Sequence, residues 1–281
     1  MQRKRLPPAE SIVNKENDSA ESDCKKEKDL SSKMNSKRHV TRTQTKKFIC
    51  MLAVILFIVA FLVRIIFRHS EPDRVYEFNK TIVELQSSFT NQTDRFWRIL
   101  KNRGSAHLNN TSPPQPLVLL LAAPAAAHGT VDCLARKLAA ALDPRQERIL
   151  ATIDGREERS YPGEETKKKM DDLLIRSFKK GHRAALVHHL ELLPLPAPLL
   201  FHSYCDDYNA PYKHVAIIFT VHLPVEPDAS LEPKEAERTV EKYLADEVWA
   251  KENKDAIADL LIRVTDTVAL MNGEPSSLDT C

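Results

Sequence analysis

Residues 117–123 read LVLLLAA, and a helical pattern follows at residues 130–142 after a short loop of small residues. Seven consecutive apolar residues between Pro116 and Pro124 are typical of a strand that is buried on both faces of a sheet. A buried strand followed by an amphipathic helix is the repeating unit of parallel α/β sheets. The predicted helix carries apolar side chains on one face, at Val131, Leu134, Leu138 and Leu142.

The same alternation of strands and helices continues to the end of the chain. Further strands are predicted at residues 148–153, 184–193 and 215–223, with a short extended segment at 199–203. Further helices are predicted at residues 164–179, 234–250 and 255–270. Residues 116–281 are therefore predicted to form one α/β domain, with a mostly parallel sheet and helices on both faces.

The loop after the first strand is where a nucleotide-binding α/β domain carries a phosphate-binding loop of the form GxxxxGK[ST]. Gly129 is the only glycine there, and Thr130 and Val131 stand in place of the lysine and the hydroxyl residue. On the third strand, His188 and His189 replace the aspartate that would hold the metal ion. We therefore predict a domain that binds no nucleotide, has no catalytic activity, and uses no cofactor or small-molecule substrate.

A metal site is also considered at a group of polar residues near the third strand. Adjacent histidines on a strand point to opposite faces, so His188 and His189 are not expected to bind one ion together. We predict packed or capping polar residues and no metal centre. The group consists of His188, His189, His202, Cys205, Asp206 and Asp207.

Residues 48–67 read FICMLAVILFIVAFLVRIIF and are predicted to form a single transmembrane helix, because about 20 apolar residues cross the hydrocarbon layer. The one charge, Arg64, lies near an end of this run, where it can reach the interface. Six basic residues precede the run without an intervening acid, whereas basic and acidic residues alternate after it. This asymmetry predicts a cytoplasmic or nucleoplasmic N-terminus and a lumenal C-terminus.

Four glycosylation sequons just after this run favour the same orientation, since only a lumenal chain meets the glycosylation machinery. Between the span and the domain, residues 68–115 are predicted to be a stalk helix and a linker. The linker, at residues 102–116, contains Gly104 and three prolines. The sequons are at Asn79, Asn91, Asn109 and Asn110. The apolar seam of the stalk consists of Val75, Phe78, Ile82, Leu85, Phe89, Phe96 and Ile99.

The first 47 residues carry thirteen Lys/Arg against seven Asp/Glu and contain no aromatic residue. Such a composition cannot bury enough apolar surface to fold, so residues 1–47 are predicted to be a disordered basic tail. The tail could bind anionic lipid, chromatin or a lamina-like partner, or it could be only a topology signal.

Residues 203–223 read SYCDDYNAPYKHVAIIFTVHL and resemble the most distinctive segment of the torsin-interacting proteins, the family of lamina-associated polypeptide 1 and its endoplasmic-reticulum relative. The run VHHLELLP at residues 187–194 is similar to the family's Walker-B-like strand. The LLxAA pattern at residues 119–123 is similar to its degenerate phosphate loop. The family's YCD motif, Asn-Ala pair and aromatic-Lys pair are matched by Tyr204, Cys205, Asp206, Asn209, Ala210, Tyr212 and Lys213.

The resemblance implies an AAA+-like lumenal domain that docks beside a torsin, an AAA+ ATPase without its own arginine finger. In the family the finger lies in the last helix, in a pattern that aligns with LLIRV at residues 260–264. Arg263 is therefore expected to act on the partner's nucleotide, although Leu261 and Ile262 replace the family's Trp and Ser. Without the resemblance, Arg263 would be an ordinary surface residue that pairs with Asp259 or Asp266.

Three cysteines follow the span and would lie in the oxidising lumen. In a sheet of AAA+ type, the last helix tends to lie on the same face as the helix after the first strand. That helix carries Cys133, so the resemblance favours a Cys133–Cys281 bridge. The alternative is a Cys205–Cys281 bridge, with Cys133 as a buried thiol.

These features predict a single-pass glycoprotein, and the resemblance implies that it lies in the endoplasmic reticulum membrane and the nuclear envelope, including the inner nuclear membrane. Its predicted function is the non-catalytic activation of a lumenal torsin ATPase. The alternative is a structural tether, in which the basic tail links the nuclear periphery or lamina to the membrane.

Overall fold

The computed structural model describes residues 51–61, 74–143, 151–225 and 232–274. The chain divides into two units, residues 1–71 and residues 72–281. In the first unit, residues 51–61 are helical with exposed apolar side chains. No helix within the described ranges is both long enough and apolar enough to cross a bilayer. The predicted tail (1–47) and the ends of the predicted span (48–50 and 62–67) lie outside those ranges.

The second unit is built on a sheet of five strands. They are β1 Leu117–Ala123, β2 Thr152–Asp154, β3 Ala184–His188, β4 Ala216–His222 and β5 Val268–Leu270. All neighbouring strands run parallel, in the order β2-β3-β4-β1-β5. The central strands β1 and β4 pair along their full length, from Leu117 opposite Ala216 to Ala123 opposite His222. The parallel α/β sheet that the alternation of strands and helices predicts is confirmed.

In the described part of this unit, six helices of ten residues or more cover the sheet. They are α1 Arg74–Ser88, α2 Asp94–Asn109, α3 His128–Leu142, α4 Gly163–Lys179, α5 Pro233–Lys242 and α6 Lys254–Val264. Every residue of β1 is buried, because successive side chains face opposite cores. Leu120 packs in the core with α4, α5 and α6, whereas Leu119 and Leu121 pack in the core with α1, α2 and α3.

The prediction that residues 68–115 form a stalk and a linker is wrong for α1 and α2. Their apolar seam is buried in the same core as Leu119 and Leu121 of the sheet. A seam with spacings of three and four residues fits any apolar partner, and here the partner is the domain's own sheet. The two helices therefore belong to the domain. The seam residues buried in this core are Phe78, Ile82, Leu85, Phe89 and Phe96, and Trp97 and Leu100 of α2, which lie outside the predicted seam, are buried with them.

The flexible linker predicted from residue 102 is also wrong, because α2 continues to Asn109. Gly104 lies inside this helix and is buried. A Cβ atom at this position would be 2.3 Å from Cζ of Phe78. Gly104 therefore allows α1 and α2 to approach each other closely, and it does not mark a flexible joint.

Three predicted strand segments differ from the structure. In the described residues, the strand predicted at 148–153 begins at Thr152 and ends at Asp154 as β2, and residues 148–150 lie outside the described ranges. The strand predicted at residues 184–193 ends at His188, because His189 adopts the left-handed conformation with φ 53° and ψ 55°. The segment predicted as extended at residues 199–203 is helical, since a 3-10 turn at Ala197–Leu200 runs into a helical turn at Phe201–Tyr204.

The last predicted helix is shorter than expected. The pattern at residues 255–270 suggests one helix, but α6 ends at Val264 and β5 follows it. The pairing of β5 with β1 places Val268 opposite Leu120, at the edge of the sheet. The helix predicted at residues 234–250 is present as α5, followed by a π-helical turn at Tyr243–Val248.

Candidate functional site

Helix α6 carries Arg263 in its last turn. Asn253 begins the helix, because its side chain accepts hydrogen bonds from two backbone N–H groups of the first turn. Arg263 lies off the buried face of the helix, as the sequence predicts, and 22% of its side chain is exposed. The residues that fix this buried face are Ile257, Leu260 and Val264.

Arg263 is held by hydrogen bonds within the domain. Its Nη2 atom donates to Asp206 Oδ2 at 3.0 Å, and its Nε atom points to the same oxygen at 3.4 Å. Its Nη1 atom donates to the backbone carbonyl of Asp259 at 2.6 Å. Asp266, considered from the sequence as a partner, instead pairs with Arg103. The YCD segment and the LLIRV segment therefore meet through the Asp206–Arg263 pair.

Asp206 is fixed by its own loop. Its Oδ1 atom accepts hydrogen bonds from the backbone N–H groups of Tyr208, at 2.9 Å, and Asn209, at 2.6 Å. This arrangement is an Asx turn. The Asn209 N–H and the Arg263 guanidinium lower the pKa of Asp206 to about 2. The carboxylate therefore stays charged at neutral pH and keeps the guanidinium oriented.

Exposed apolar side chains lie next to this pair in the sequence. Tyr208 is 83% exposed, and Ile262 is 71% exposed. Leu261, which replaces the family's Trp, is partly buried against the core. Both side chains are open to contact from another molecule.

The described cysteines differ in state. Cys205 is a buried free thiol, and burial raises its pKa, so the thiol is uncharged and unreactive at neutral pH. Cys133 on α3 is disulfide-bonded, and its partner lies outside the described residues. The alternative bridge, between Cys205 and Cys281, is therefore wrong. The Cys133–Cys281 bridge stays a prediction, but the expectation that the last helix lies on the same face as the helix of Cys133 is wrong, because α6 and α3 pack in opposite cores of the sheet.

The loop after β1 is covered by residues 271–274. β1 leads into a 3-10 turn at Ala125–Ala127 and then into α3. The backbone N–H of Met271 donates to the carbonyl of Ala122 at 2.9 Å. A Cβ atom at Gly273 would lie 2.6 Å from the carbonyl oxygen of Ala126. The C-terminal segment therefore packs against the loop where a phosphate would have to bind.

Histidine and acidic side chains meet at the same end of the sheet. The prediction that His188 and His189 point apart is wrong, because β3 ends at His188 and the left-handed His189 turns its ring back. His188 Nδ1 lies 3.0 Å from Asp132 Oδ1, and His189 Nε2 lies 3.6 Å from Asp132 Oδ2. The histidine cluster consists of His128, Asp132, His188, His189, Glu191 and His222.

Sequence reasoning missed Asp132 and His222 as members of this cluster. The sequence did contain a signal for the cluster. In a parallel sheet, the carboxyl ends of neighbouring strands and the first turn of the helix after β1 meet at one edge, so polar residues at these positions are expected to lie close together. The other residues considered for a metal site lie elsewhere in the domain. His202 faces Asp259 at 3.9 Å, and Asp206 is paired with Arg263.

The predicted glycosylation sites lie on the surface to different degrees. Asn91, Asn109 and Asn110 are exposed, whereas Asn79 is partly buried. Asn79 Oδ1 accepts a hydrogen bond from Ser105 at 3.0 Å, and the Asn91 amide donates to the carbonyl of Gly273 at 2.6 Å. Glycosylation at these four positions stays a prediction.

The fold and the site define a parallel α/β domain whose phosphate-loop position is covered by residues 271–274 and whose helix α6 carries an arginine paired with Asp206. The family model described as lamina-associated polypeptide 1, AAA+ activator domain, matches residues 66–259. The chain belongs to this family, and the resemblance to the torsin-interacting proteins is confirmed.

Curated relatives support the same assignment. Torsin-1A-interacting protein 1 of Mus musculus is 35% identical over 176 residues, which cover 62% of this chain and 30% of the relative. The Homo sapiens protein of the same name is 33% identical over 176 residues, with the same coverage. The matched region thus spans less than a third of each relative. The DnaC helicase loader aligns with 64% of this chain and 100% of its own, at 11% identity and a TM-score of 0.31.

Proposed function

We propose that the chain is a membrane-anchored activator of a lumenal torsin ATPase, and that Arg263 supplies an arginine finger in trans. The family and the printed name of the relatives support a torsin as the partner. The observation that carries the site is the Asp206–Arg263 pair, which connects the YCD segment to the last helix. The family match ends at residue 259, so the role of Arg263 rests on this geometry and on the LLIRV pattern.

The guanidinium of Arg263 is suited to this task. Its contacts with Asp206 and Asp259 use only part of its five N–H donors, so Nη1 and Nη2 each keep a second N–H. A planar and permanently charged group can contact two phosphate oxygens at once. Such a contact stabilises the negative charge that develops on the transferred phosphoryl group.

Asp206 acts as a positioning residue for Arg263. A free arginine side chain loses about 2 kcal/mol of rotamer entropy when it is fixed in one geometry. Because Asp206 and the Asp259 carbonyl already hold Arg263, most of this ordering precedes docking. Tyr208 and Ile262, exposed beside the pair, provide apolar contact area for the torsin surface.

The domain activates hydrolysis without carrying it out. The lysine of a phosphate loop is replaced by Thr130, which is buried, and residues 271–274 pack against the loop. His188, at the end of β3, bonds to Asp132 in the place where an NTPase would hold Mg²⁺. The only nucleotide in the proposed complex is therefore the torsin's own.

The proposed topology places this domain in the lumen. Residues 48–67 form the membrane anchor, residues 1–47 stay in the cytosol or nucleoplasm, and the sequon-bearing helices follow the anchor. The proposed location is the endoplasmic reticulum membrane and the nuclear envelope, where the chain would meet its torsin partner. Contact of the basic tail with lamina or chromatin is a further part of this proposal.

The rate of ATP hydrolysis by torsin-1A tests the proposed function. The rate is measured with and without the purified full chain in detergent, at a fixed torsin concentration. An activator raises the rate, by up to about 10³-fold or more where a missing finger is supplied. A tether leaves the rate unchanged, and this result would refute the proposal.

A further inference from the structure

We propose that Asp132, His189 and His222 form a binding site for one divalent transition-metal ion of the Zn²⁺ type. The site lies at the carboxyl ends of β3 and β4, beside the first turns of α3. It occupies the region where an NTPase of this architecture would hold nucleotide and Mg²⁺. The inference does not depend on the action of Arg263 on a torsin.

The distances among the three side chains fit one metal ion. The candidate ligand atoms all lie within 4.8 Å of one another. His189 Nε2 is 3.6 Å from Asp132 Oδ2, and His222 Nε2 is 3.5 Å from Asp132 Oδ1. With metal–ligand bonds of about 2.0–2.1 Å, two ligand atoms of a tetrahedral site lie about 3.4 Å apart. Small side-chain shifts would therefore complete the site.

The two histidine nitrogens lack a hydrogen-bond partner among the described residues. Nε2 of His189 and Nε2 of His222 are both buried and make no hydrogen bond there. Only 4% of the His189 side chain is exposed. A buried polar atom without a partner destabilises the fold, so two such atoms that face one carboxylate need an explanation. A bound cation would satisfy both nitrogens and the carboxylate together.

Neighbouring side chains are placed to orient the proposed ligands by hydrogen bonds, as in known metal sites. His189 Nδ1 lies 3.3 Å from Glu191 Oε1, so an N–H donated to Glu191 would leave the lone pair on Nε2. His188 Nδ1 lies 3.0 Å from Asp132 Oδ1 and orients that carboxylate. Metal-binding histidines commonly donate their second nitrogen to a carboxylate in this way.

The backbone of His189 is bent in a way that serves this arrangement. His189 has φ 53° and ψ 55°, which is uncommon for a residue other than glycine. Its backbone N–H donates to Thr220 Oγ1 at 3.1 Å, which holds the bend in place. A residue other than glycine in this conformation is strained, and it persists where the surroundings require it. The bend brings two consecutive histidines to the same carboxylate.

The site is reachable from solvent on one side. The Asp132 side chain is 16% exposed and the His222 side chain is 13% exposed, whereas His189 is buried behind them. The ring of His128 stacks on His222 with centroids 3.9 Å apart and limits its movement. Three protein ligands leave a fourth position, which a water molecule can occupy on the exposed side.

Titration of the purified full chain with Zn²⁺ in a calorimeter, after treatment with a chelator, tests this proposal. The wild-type chain is expected to bind one Zn²⁺ and to melt at a higher temperature when the ion is bound. His222→Asn and His189→Asn are expected to weaken binding more than about 100-fold, since changes to supporting residues alone cost about 10–100-fold. Asparagine tolerates the left-handed conformation, so His189→Asn preserves the backbone.

His214→Asn is the matched control, because His214 is exposed and precedes β4 at the opposite end of the sheet. The control should bind Zn²⁺ as the wild type does. No binding by the wild type at micromolar Zn²⁺, or equal binding by all three variants, would overturn the proposal. The first result would mean that the cluster holds a proton between His189 and Asp132 instead of a metal. If His189→Asn does not fold, His222→Asn decides the question.

Discussion

At the scale of single residues, the fold joins two side chains that the sequence keeps 57 positions apart, Asp206 and Arg263. They lie in two separate segments, at residues 203–223 and 260–264, and only the tertiary structure shows that they form one unit. The Asx turn fixes Asp206, and Asp206 fixes Arg263. The proposed finger is therefore oriented before any partner arrives.

The charge state of Asp206 provides a test at this scale. Hydrogen bonding from Asn209 and from Arg263 lowers the pKa of Asp206 to about 2. A lowered pKa stabilises the folded state above the unfolded value of about 3.9, and this stabilisation is lost as the pH falls through the lowered value. We therefore expect the full stabilisation from about pH 5 upwards, and we expect the pair itself to persist until the pH falls towards the lowered value of about 2.

An NMR titration of the Asp206 carboxyl carbon measures this directly. The wild-type pKa should lie well below about 3.9. In Arg263→Ala the pKa should rise only in part, because the hydrogen bond from Asn209 remains. A pKa that is close to the unperturbed value and does not respond to Arg263→Ala would refute the orientation of Arg263 by Asp206.

The sequence predicts some of the site and misses the rest for identifiable reasons. Arg263 is predicted by helical periodicity and by the resemblance, and α6 does place it off the buried face. The pairing of Arg263 with Asp206 depends on the conformation of the loop around Asp206, and the spacing of apolar residues does not reveal loop conformations. The cluster around Asp132 is missed because His189 adopts the left-handed backbone conformation. Side chains alternate between the two faces only along a regular strand, and the strand ends at His188.

At the scale of helices and strands, long apolar segments are predicted well and short ones are not. β1 has the predicted bounds, because seven buried apolar residues are unambiguous. β5 has only three residues and was assigned to the preceding helix, since its side chains also fit that helix's apolar spacing. The sequence predicts a stalk for α1 and α2 because apolar residues spaced three and four apart show that one face of a helix is buried, but not which part of the protein covers that face.

Gly104→Val tests whether α1 and α2 belong to the domain. A Cβ at Gly104 would collide with the ring of Phe78, which is 1% exposed and cannot move freely. Overpacking of this kind destabilises by about 1–3 kcal/mol, measured as the free energy of unfolding in urea. Lys101→Ala, at an exposed position of the same helix, is the control and should change stability little. If Gly104→Val left the stability of the domain unchanged, the hairpin would not be part of its core.

The loop after β1 leads to a prediction about ATP. Thr130 replaces the lysine, and Gly273 packs against Ala126 of the loop. Calorimetric titration of the full chain with ATP and Mg²⁺ is expected to give no binding in the micromolar range, whereas torsin-1A under the same conditions serves as the positive control. Micromolar binding of ATP by the chain would contradict this account of the loop.

At the scale of the whole molecule, the proposed function requires a lumenal domain attached to a membrane anchor. The described helices and strands define the domain, whereas the anchor at residues 48–67 is inferred from hydropathy and flanking charge. The sequons link the domain to the predicted orientation of the anchor, because Asn91, Asn109 and Asn110 are exposed on the domain itself and glycosylation there would require a lumenal domain.

Glycosylation tests this topology. When the chain is synthesised with microsomes, endoglycosidase treatment should lower its apparent mass, because sequons are modified only in the lumen. Replacement of all four acceptors by glutamine should abolish the shift, and these acceptors are Asn79, Asn91, Asn109 and Asn110. A wild-type chain that shows no shift would contradict the proposed orientation.

The rate of ATP hydrolysis by torsin-1A, measured in the presence of Arg263→Ala, tests whether Arg263 is the finger. The variant should bind the torsin as tightly as the wild-type chain, because the buried face of α6 is intact, yet leave hydrolysis at its basal rate. Arg98→Ala, at an exposed arginine on α2, should stimulate as the wild type does. Stimulation by Arg263→Ala near the wild-type rate would show that Arg263 is not the finger.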